Sequence, residues 1–198
     1  MRRRLLAGLL AGLAITMVAS PAEAAAPDRR VVAAVERVAD GSYTPSDLAL
    51  IRQHPDIARQ VPDPTAPAVS TRTTGRQPSS DARAAESCGH YVNVGFTKKS
   101  LLGDTIYKWQ HRVVYCRDGV NVTRWQARYD YLSKSSAVVY LRELSAHQAG
   151  TGSPAAWSHL QRHIEYCVAQ VGCYANTYPW SKITVYGGGG SRYTGSAG

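Results

Sequence analysis

The sequence is short of acid, of phenylalanine and of long apolar runs. Its 198 residues hold 14 Asp and Glu against 23 Lys and Arg, one Phe, two Met and four Cys, and only 19% of them are charged. Residues 85–198 contain just six acids, too few to favour sugar hydrolysis by paired carboxylates. At 44% hydrophobic residues the chain is too apolar to be wholly disordered and shows no fibre-like repeat bias. The longest uncharged apolar run, Leu5 to Val18, has 14 residues, short of the ~20 that a membrane-spanning helix needs. No Gly-x-Ser-x-Gly nucleophile elbow occurs. Gly187 to Gly190 lacks the Lys-Ser/Thr ending and the following helix of a phosphate loop.

The chain does hold 12 Tyr and 4 Trp. Aromatics with a polar tip suit thin or two-sided layers better than one large core. Arg2, Arg3 and Arg4, the apolar run and the small residues of Ala22-Glu23-Ala24 spell a secretory signal peptide over residues 1–24, cut after Ala24. The general and twin-arginine routes both stay open, because three Arg precede Leu5-Leu6. The expected location is therefore extracellular, with no transmembrane segment in the mature chain.

That mature chain has 20 basic and 13 acidic residues, a net +7. Residues 25–84 hold 8 and 7, whereas residues 85–198 hold 12 and 6, so the basic excess belongs to the second part. A basic exported surface favours an anionic polymer or glycan of the cell envelope, with nucleic acid as another partner of matching charge. The bland alternative is solubility alone.

Cys88, Cys116, Cys167 and Cys173 make an even set, which in an exported chain reads as two disulfides. Their spacing lacks the close pairs of a zinc site, and neither a metal nor another cofactor is expected. The midpoint of Cys88 and Cys116 falls at the Leu102-Gly103 turn, so a hairpin would join them and leave Cys167 to pair with Cys173. That hairpin sets Val92 opposite Arg112, and a bulge near Val113-Val114 or Gly95 would be needed to align the apolar faces.

The organisation follows from the hydrophobic period. Residues 25–61 read as short helices: Val31, Val32, Val35 and Val38 recur at helical spacing, Gly41 is a stop, and Thr44 is an N-cap ahead of Pro45. Residues 62–86, rich in Pro, Ser and Thr, read as a disordered linker. Residues 87–186 alternate at period two and read as a disulfide-bonded β domain. Residues 187–198 read as a flexible Gly-rich tail. The predicted fold is mainly β, an antiparallel β-sandwich or small barrel with short N-terminal helices.

A three-residue loop at Arg117-Asp118-Gly119 would set Trp109 opposite Ala127 and His111 opposite Trp125. The other face would then carry Lys108, Arg112, Arg124 and Arg128 as a candidate anion-binding surface, or simply as a solvated face. His163 and Glu165 would share a strand face, a candidate acid–base pair for a ribonuclease-like secreted hydrolase. His159 and His163 lie four apart, too far on a strand to share one ion. The aromatic run from Tyr174 to Trp180 could stack on sugars or bases.

The segments Asp47-Leu48-Ala49-Leu50-Ile51, Tyr91 to Tyr107 (with Ser100-Leu101-Leu102-Gly103) and Gly172-Cys173-Tyr174 resemble those of a group of uncharacterised secreted actinobacterial proteins. The resemblance implies export and a disulfide-stabilised β domain, and implies nothing catalytic. A secreted non-catalytic binding module is the expected function. A small hydrolase is one alternative. A bacteriocin-like protein or inhibitor, with residues 25–61 as a pro-segment, is the other.

Overall fold

A computed structural model describes residues 28–80, 86–151, 154–168 and 171–198. The signal peptide expected over residues 1–24 lies outside them. Among the described residues the chain is mainly β, with two antiparallel sheets packed face to face and three short helices at one end. In chain order the elements are α1 (Arg29–Asp40), α2 (Pro45–Arg52), α3 (Pro55–Ala58), β1 (Val69–Arg76), β2 (Ser87–Lys99), β3 (Thr105–Arg117), β4 (Val122–Ser135), β5 (Val139–Gly150), β6 (Ala155–Val168), β7 (Gly172–Thr177), β8 (Trp180–Tyr186) and β9 (Ser191–Ser196). The first sheet runs β1-β2-β3-β4 and the second β5-β6-β8-β9, with β7 pairing the rest of the β6 edge.

Alternation explains the sandwich. Val92, Val94 and Phe96 on β2 and Tyr107, Trp109, Val113 and Tyr115 on β3 point inward, against Leu160, Ile164 and Tyr166 of β6 and Ile183 and Val185 of β8. Side chains at every second position line one face of a strand, so two such faces close one core. Cys88 is bonded to Cys116 and Cys167 to Cys173, as the spacing predicts. The β2–β3 hairpin sets Val92 opposite Val113, and its register shifts lie between Ser87 and His90 and at Lys98–Lys99. The irregularity is thus at the ends of the hairpin, not at Val113-Val114 or Gly95. Gly89, with φ +80°, supplies the left-handed residue beside the disulfide.

The structure corrects both segments read as unstructured. Within the expected linker, Val69–Arg76 is an edge strand paired along its whole length with β2. Within the expected tail, Ser191–Ser196 is the other sheet's edge, paired with β8. Every residue of β1 is exposed, so no alternation of apolar residues marks it, and β9 has little more. The two edges meet across the layers through Ser70 Oγ and Tyr193 Oη at 3.1 Å and through Arg72 Nη1, which donates to the Ser191 carbonyl at 2.8 Å.

The helices dock on the sandwich. Asp28 and Thr44 cap α1 and α2, and Thr44 forms a reciprocal capping box with Asp47. Arg37 donates from Nε and Nη2 to the Asp47 carboxylate, and these bonds, with those from Thr44, hold it well below the usual carboxylate range. Val31, Val35, Leu48, Ile51 and Ile57 share a second core with Val61, Leu101 of the β2–β3 turn and Val168 of β6. No helix among the described residues is long and apolar enough to cross a membrane. The two disulfides indicate an oxidising environment of extracellular type.

Ile51 is fully buried in this second core. Ile51→Ala is expected to cost about 2–5 kcal/mol. It should do so in a single urea transition, with far-ultraviolet dichroism and tryptophan fluorescence coinciding, because helices and sandwich share buried side chains. An independent early helical transition would contradict the shared core.

Candidate functional site

The β3–β4 register differs from the one the sequence suggests. The connection spans Asp118 to Asn121, with Arg117 opposite Val122. Asp118 Oδ1 accepts from the Val120 and Asn121 amides, which stabilises a longer loop than Asp-Gly alone implies. A bulge at Gln126 then puts Tyr115 opposite Trp125 but Val114 opposite Ala127. Beyond it the side chains of β4 as far as Leu132 change face, and a further shift at Ser133 reverses the alternation again. Trp109 therefore lies opposite Leu132 and His111 opposite Asp130, where Ala127 and Trp125 were expected.

This register breaks up the expected row of four cations. Arg112 lies opposite Tyr129, Arg124 opposite Cys116, Arg128 opposite Val113 and Lys108 opposite Lys134. Arg128 has moved to the core-facing side, half-buried, with its charge disfavoured by desolvation. Arg124 stays on the outer face but forms an ion pair with Glu86 at 3.3 Å. Lys108 and Arg112 remain on that face, joined by Lys134. The Arg112 guanidinium lies 4.0 Å over the Tyr91 ring and donates to Gln77 Oε1. Beside it Asn93 donates to Gln110, and Gln110 donates to Ser133 Oγ. Tyr129, 44% exposed, and Tyr131 complete the surface with ring centroids 6.0 Å apart. Beside the paired Arg124, the outer face thus holds a guanidinium, two lysines, two amides and three tyrosine rings.

The residue that the flip brings inward is Asp130. Its carboxylate accepts from Trp109 Nε1 at 2.7 Å and from Nε and Nη2 of Arg162, which reaches across from β6. Burial pushes this carboxyl up, but the bonds from Arg162 and Trp109 outweigh it and the net shift is downward. His111 beside it is fully buried, with Nδ1 2.6 Å from Ser181 Oγ and Nε2 3.0 Å from Ser158 Oγ. Burial holds this imidazole neutral, down to about 3. Neither Asp130 nor Arg162 is singled out by the sequence reading, although Asp130 is the one acid within β1 to β4.

His163 and Glu165 do share the outer face of β6, and an arginine joins them. Arg142 donates to Glu165 through Nε at 2.9 Å. His163 Nδ1 lies 3.0 Å from Glu143 Oε1 and Nε2 lies 2.7 Å from Asn176 Oδ1, while the ring stacks on Tyr178 at 5.0 Å. With an oxygen acceptor on each nitrogen the imidazolium is favoured, and Asn176 and Glu143 raise the pKa. Such a ring has no free nitrogen with which to accept a substrate proton. His159 packs edge-on against Trp180 instead, at 5.7 Å, and Lys182 lies 4.6 Å over the Trp157 ring.

The sulfurs of both disulfides lie near a carboxylate, Glu86 and Glu165 respectively. Oxidised sulfur is not the thiolate that binds zinc, so these clusters are not ligand sets. Comparison with protein-family models, with curated proteins and with solved structures yields no match to this chain. Function is therefore argued from the chain's own geometry.

Two titrations follow. His163 should titrate by NMR above the ordinary histidine range, and Glu143→Gln should bring it down; an unshifted His163 would contradict the double acceptor. His111 has a depressed folded pKa, so below pH 6.5 the unfolded chain takes a proton that the folded chain refuses, and stability falls with pH. Its contribution amounts to roughly 1.4 kcal/mol per pH unit. Urea unfolding between pH 6.5 and 4.5 should show a shallower pH slope in His111→Asn than in the parent.

Proposed function

We propose that the protein is a secreted, non-catalytic binding module whose first sheet holds an anionic polymer of the cell envelope. One observation carries the reading: strands β1 to β4 bear ten Lys and Arg and a single carboxylate, Asp130, which faces inward. The strands of the second sheet bear four cations and two acids. Charge of one sign on one layer produces a field that Glu86, paired with Arg124, offsets only in part. On the outer face Lys108 and Lys134 sit directly opposite each other, an arrangement that costs stability unless an anion lies between them. The rings of Tyr91, Tyr129 and Tyr131 beside these cations offer stacking surface for the sugar or polyol units of such a polymer.

The signal peptide read from Arg2 to Ala24 and the two disulfides support secretion. The engaged nitrogens of His163 and the Arg142 bond to Glu165 weigh against the ribonuclease-like alternative. The core shared by α1–α3 with Leu101 and Val168 weighs against a removable pro-segment, since its loss would strip apolar surface from the sandwich.

The test is binding of soluble poly(glycerol phosphate) as a function of salt. Affinity should fall steeply with ionic strength. The combined substitutions Lys108→Gln, Arg112→Gln and Lys134→Gln should lower the slope of log K against log salt by roughly 2, in line with loss of three charge contacts. An unchanged slope would remove the outer face as the site. A single-stranded oligonucleotide binding more tightly than the polymer would shift the assignment to nucleic acid.

A further inference from the structure

The core thins at one corner of the sandwich. There the core-side positions of the first sheet are Arg72 and Thr74 of β1, opposite Val94 and Val92, with His90 of β2 and Tyr115 and Arg117 at the end of β3. Inner faces of sandwiches are normally apolar, so inward arginines call for a reason. The opposite wall is the β8–β9 turn, Gly187 to Ser191. A side chain at Gly187 would sit 2.2 Å from the Val120–Asn121 backbone, so glycine lets this turn lie against the β3–β4 loop. Gly189 and Gly190 both have positive φ, and a side chain at Gly189 would meet the Arg117 guanidinium at 2.7 Å. The turn is built around that guanidinium.

Between these walls lies a cleft of about 290 Å³ with no acidic residue in its lining. Neither Arg72 nor Arg117 forms an ion pair among the described residues. Their bonds go to carbonyls, Ser191 for Arg72 and Gly187 for Arg117, and to His90. Arg117 Nε donates to His90 Nε2 at 3.3 Å, which requires that nitrogen to be unprotonated and leaves the ring's proton on Nδ1. The lining thus offers two guanidinium groups and the side chains of His90 and Tyr115, and no carboxylate.

We propose that this cleft is a binding site for the phosphate group of a small polyol or sugar phosphate. Two fixed positive charges with forked donors match a dianionic phosphate. The volume equals that of about ten water molecules, more than a bare phosphate fills, and leaves room for a sugar-sized body. The site uses different cations from the outer face of the first sheet and shares only Tyr91 with it, and its ligand is a small molecule or a chain end, not the run of a polymer.

Glycerol 3-phosphate, glucuronate and inorganic phosphate are the probes, added to the full chain and followed by amide NMR. Glycerol 3-phosphate is expected to move the resonances of Thr74, His90 and Gly187 to Ser191. Arg72→Gln, at an exposed edge position where folding is little affected, is expected to weaken binding about tenfold or more. Arg117→Gln should do the same, with the thermal transition as its folding control. Absence of shifts at the cleft, or an Arg72→Gln variant that binds as the parent does, would overturn the proposal. Glucuronate binding as tightly as glycerol 3-phosphate would overturn the choice of phosphate, and inorganic phosphate binding equally well would overturn the sugar-sized body. The substitutions Lys108→Gln and Lys134→Gln, which touch no residue of the cleft lining, should leave these shifts unchanged, so the two sites stand or fall separately.

Discussion

The indole N–H of Trp109 has to find an acceptor inside the sandwich. A buried donor left unpaired costs about 1–3 kcal/mol, and Trp109 is fully buried at the centre of the core. The acceptor is Asp130, and a carboxylate brought inside needs a cation in turn. Arg162 supplies it from the opposite sheet. This chain of obligations ties β3, β4 and β6 together and requires Asp130 to face inward. The bulge at Gln126 makes that possible by changing the faces of β4 part-way along. The same change turns Tyr129 and Tyr131 outward and takes Arg128 off the outer face. The chemistry of the outer surface is therefore a by-product of how a buried tryptophan is satisfied.

The polar groups that bridge the two layers around Trp109 follow one pattern. His111 is neutral and bonded through both nitrogens to serines of β6 and β8, so it links the layers without charge. Arg162 and Asp130 link them with charge that cancels. Among the described residues the cations of the first sheet's outer face and of the terminal cleft have no such ion pair, apart from Arg124 with Glu86. Charge that is neutralised internally serves the fold. Charge without such a counterpart, at Lys108, Lys134, Arg72 and Arg117, is what the two proposed sites rest on.

The two edge strands have the opposite history to the core strands. β2 and β3 are legible because Val92, Val94, Phe96, Tyr107 and Trp109 alternate with polar residues. β1 and β9 are not, because an edge strand that faces mostly solvent has no apolar side to alternate. Both entered the sequence reading as linker and tail, yet they complete the sheets, meet each other through Ser70 and Tyr193, and form much of the terminal cleft. Arg72 in a Pro/Thr-rich stretch and Gly189 in a glycine run carry no local signature of a shared site. Their proximity arises from pairing over more than a hundred residues.

The sequence by itself determined the class of fold, the pairing of Cys88 with Cys116 and of Cys167 with Cys173, the capped helix at Thr44-Pro45 and the basic excess of the second part. These rest on period, spacing and composition, which are local or additive properties of the chain. The tertiary structure alone decided which cations share a face, because each inserted residue in β4 inverts the positions after it until the next shift. It also decided that His163 is held between Glu143 and Asn176, and that Arg72, His90 and Arg117 surround one cleft. Register and the meeting of distant edges depend on satisfying buried groups across two layers, and no local pattern of residues records that.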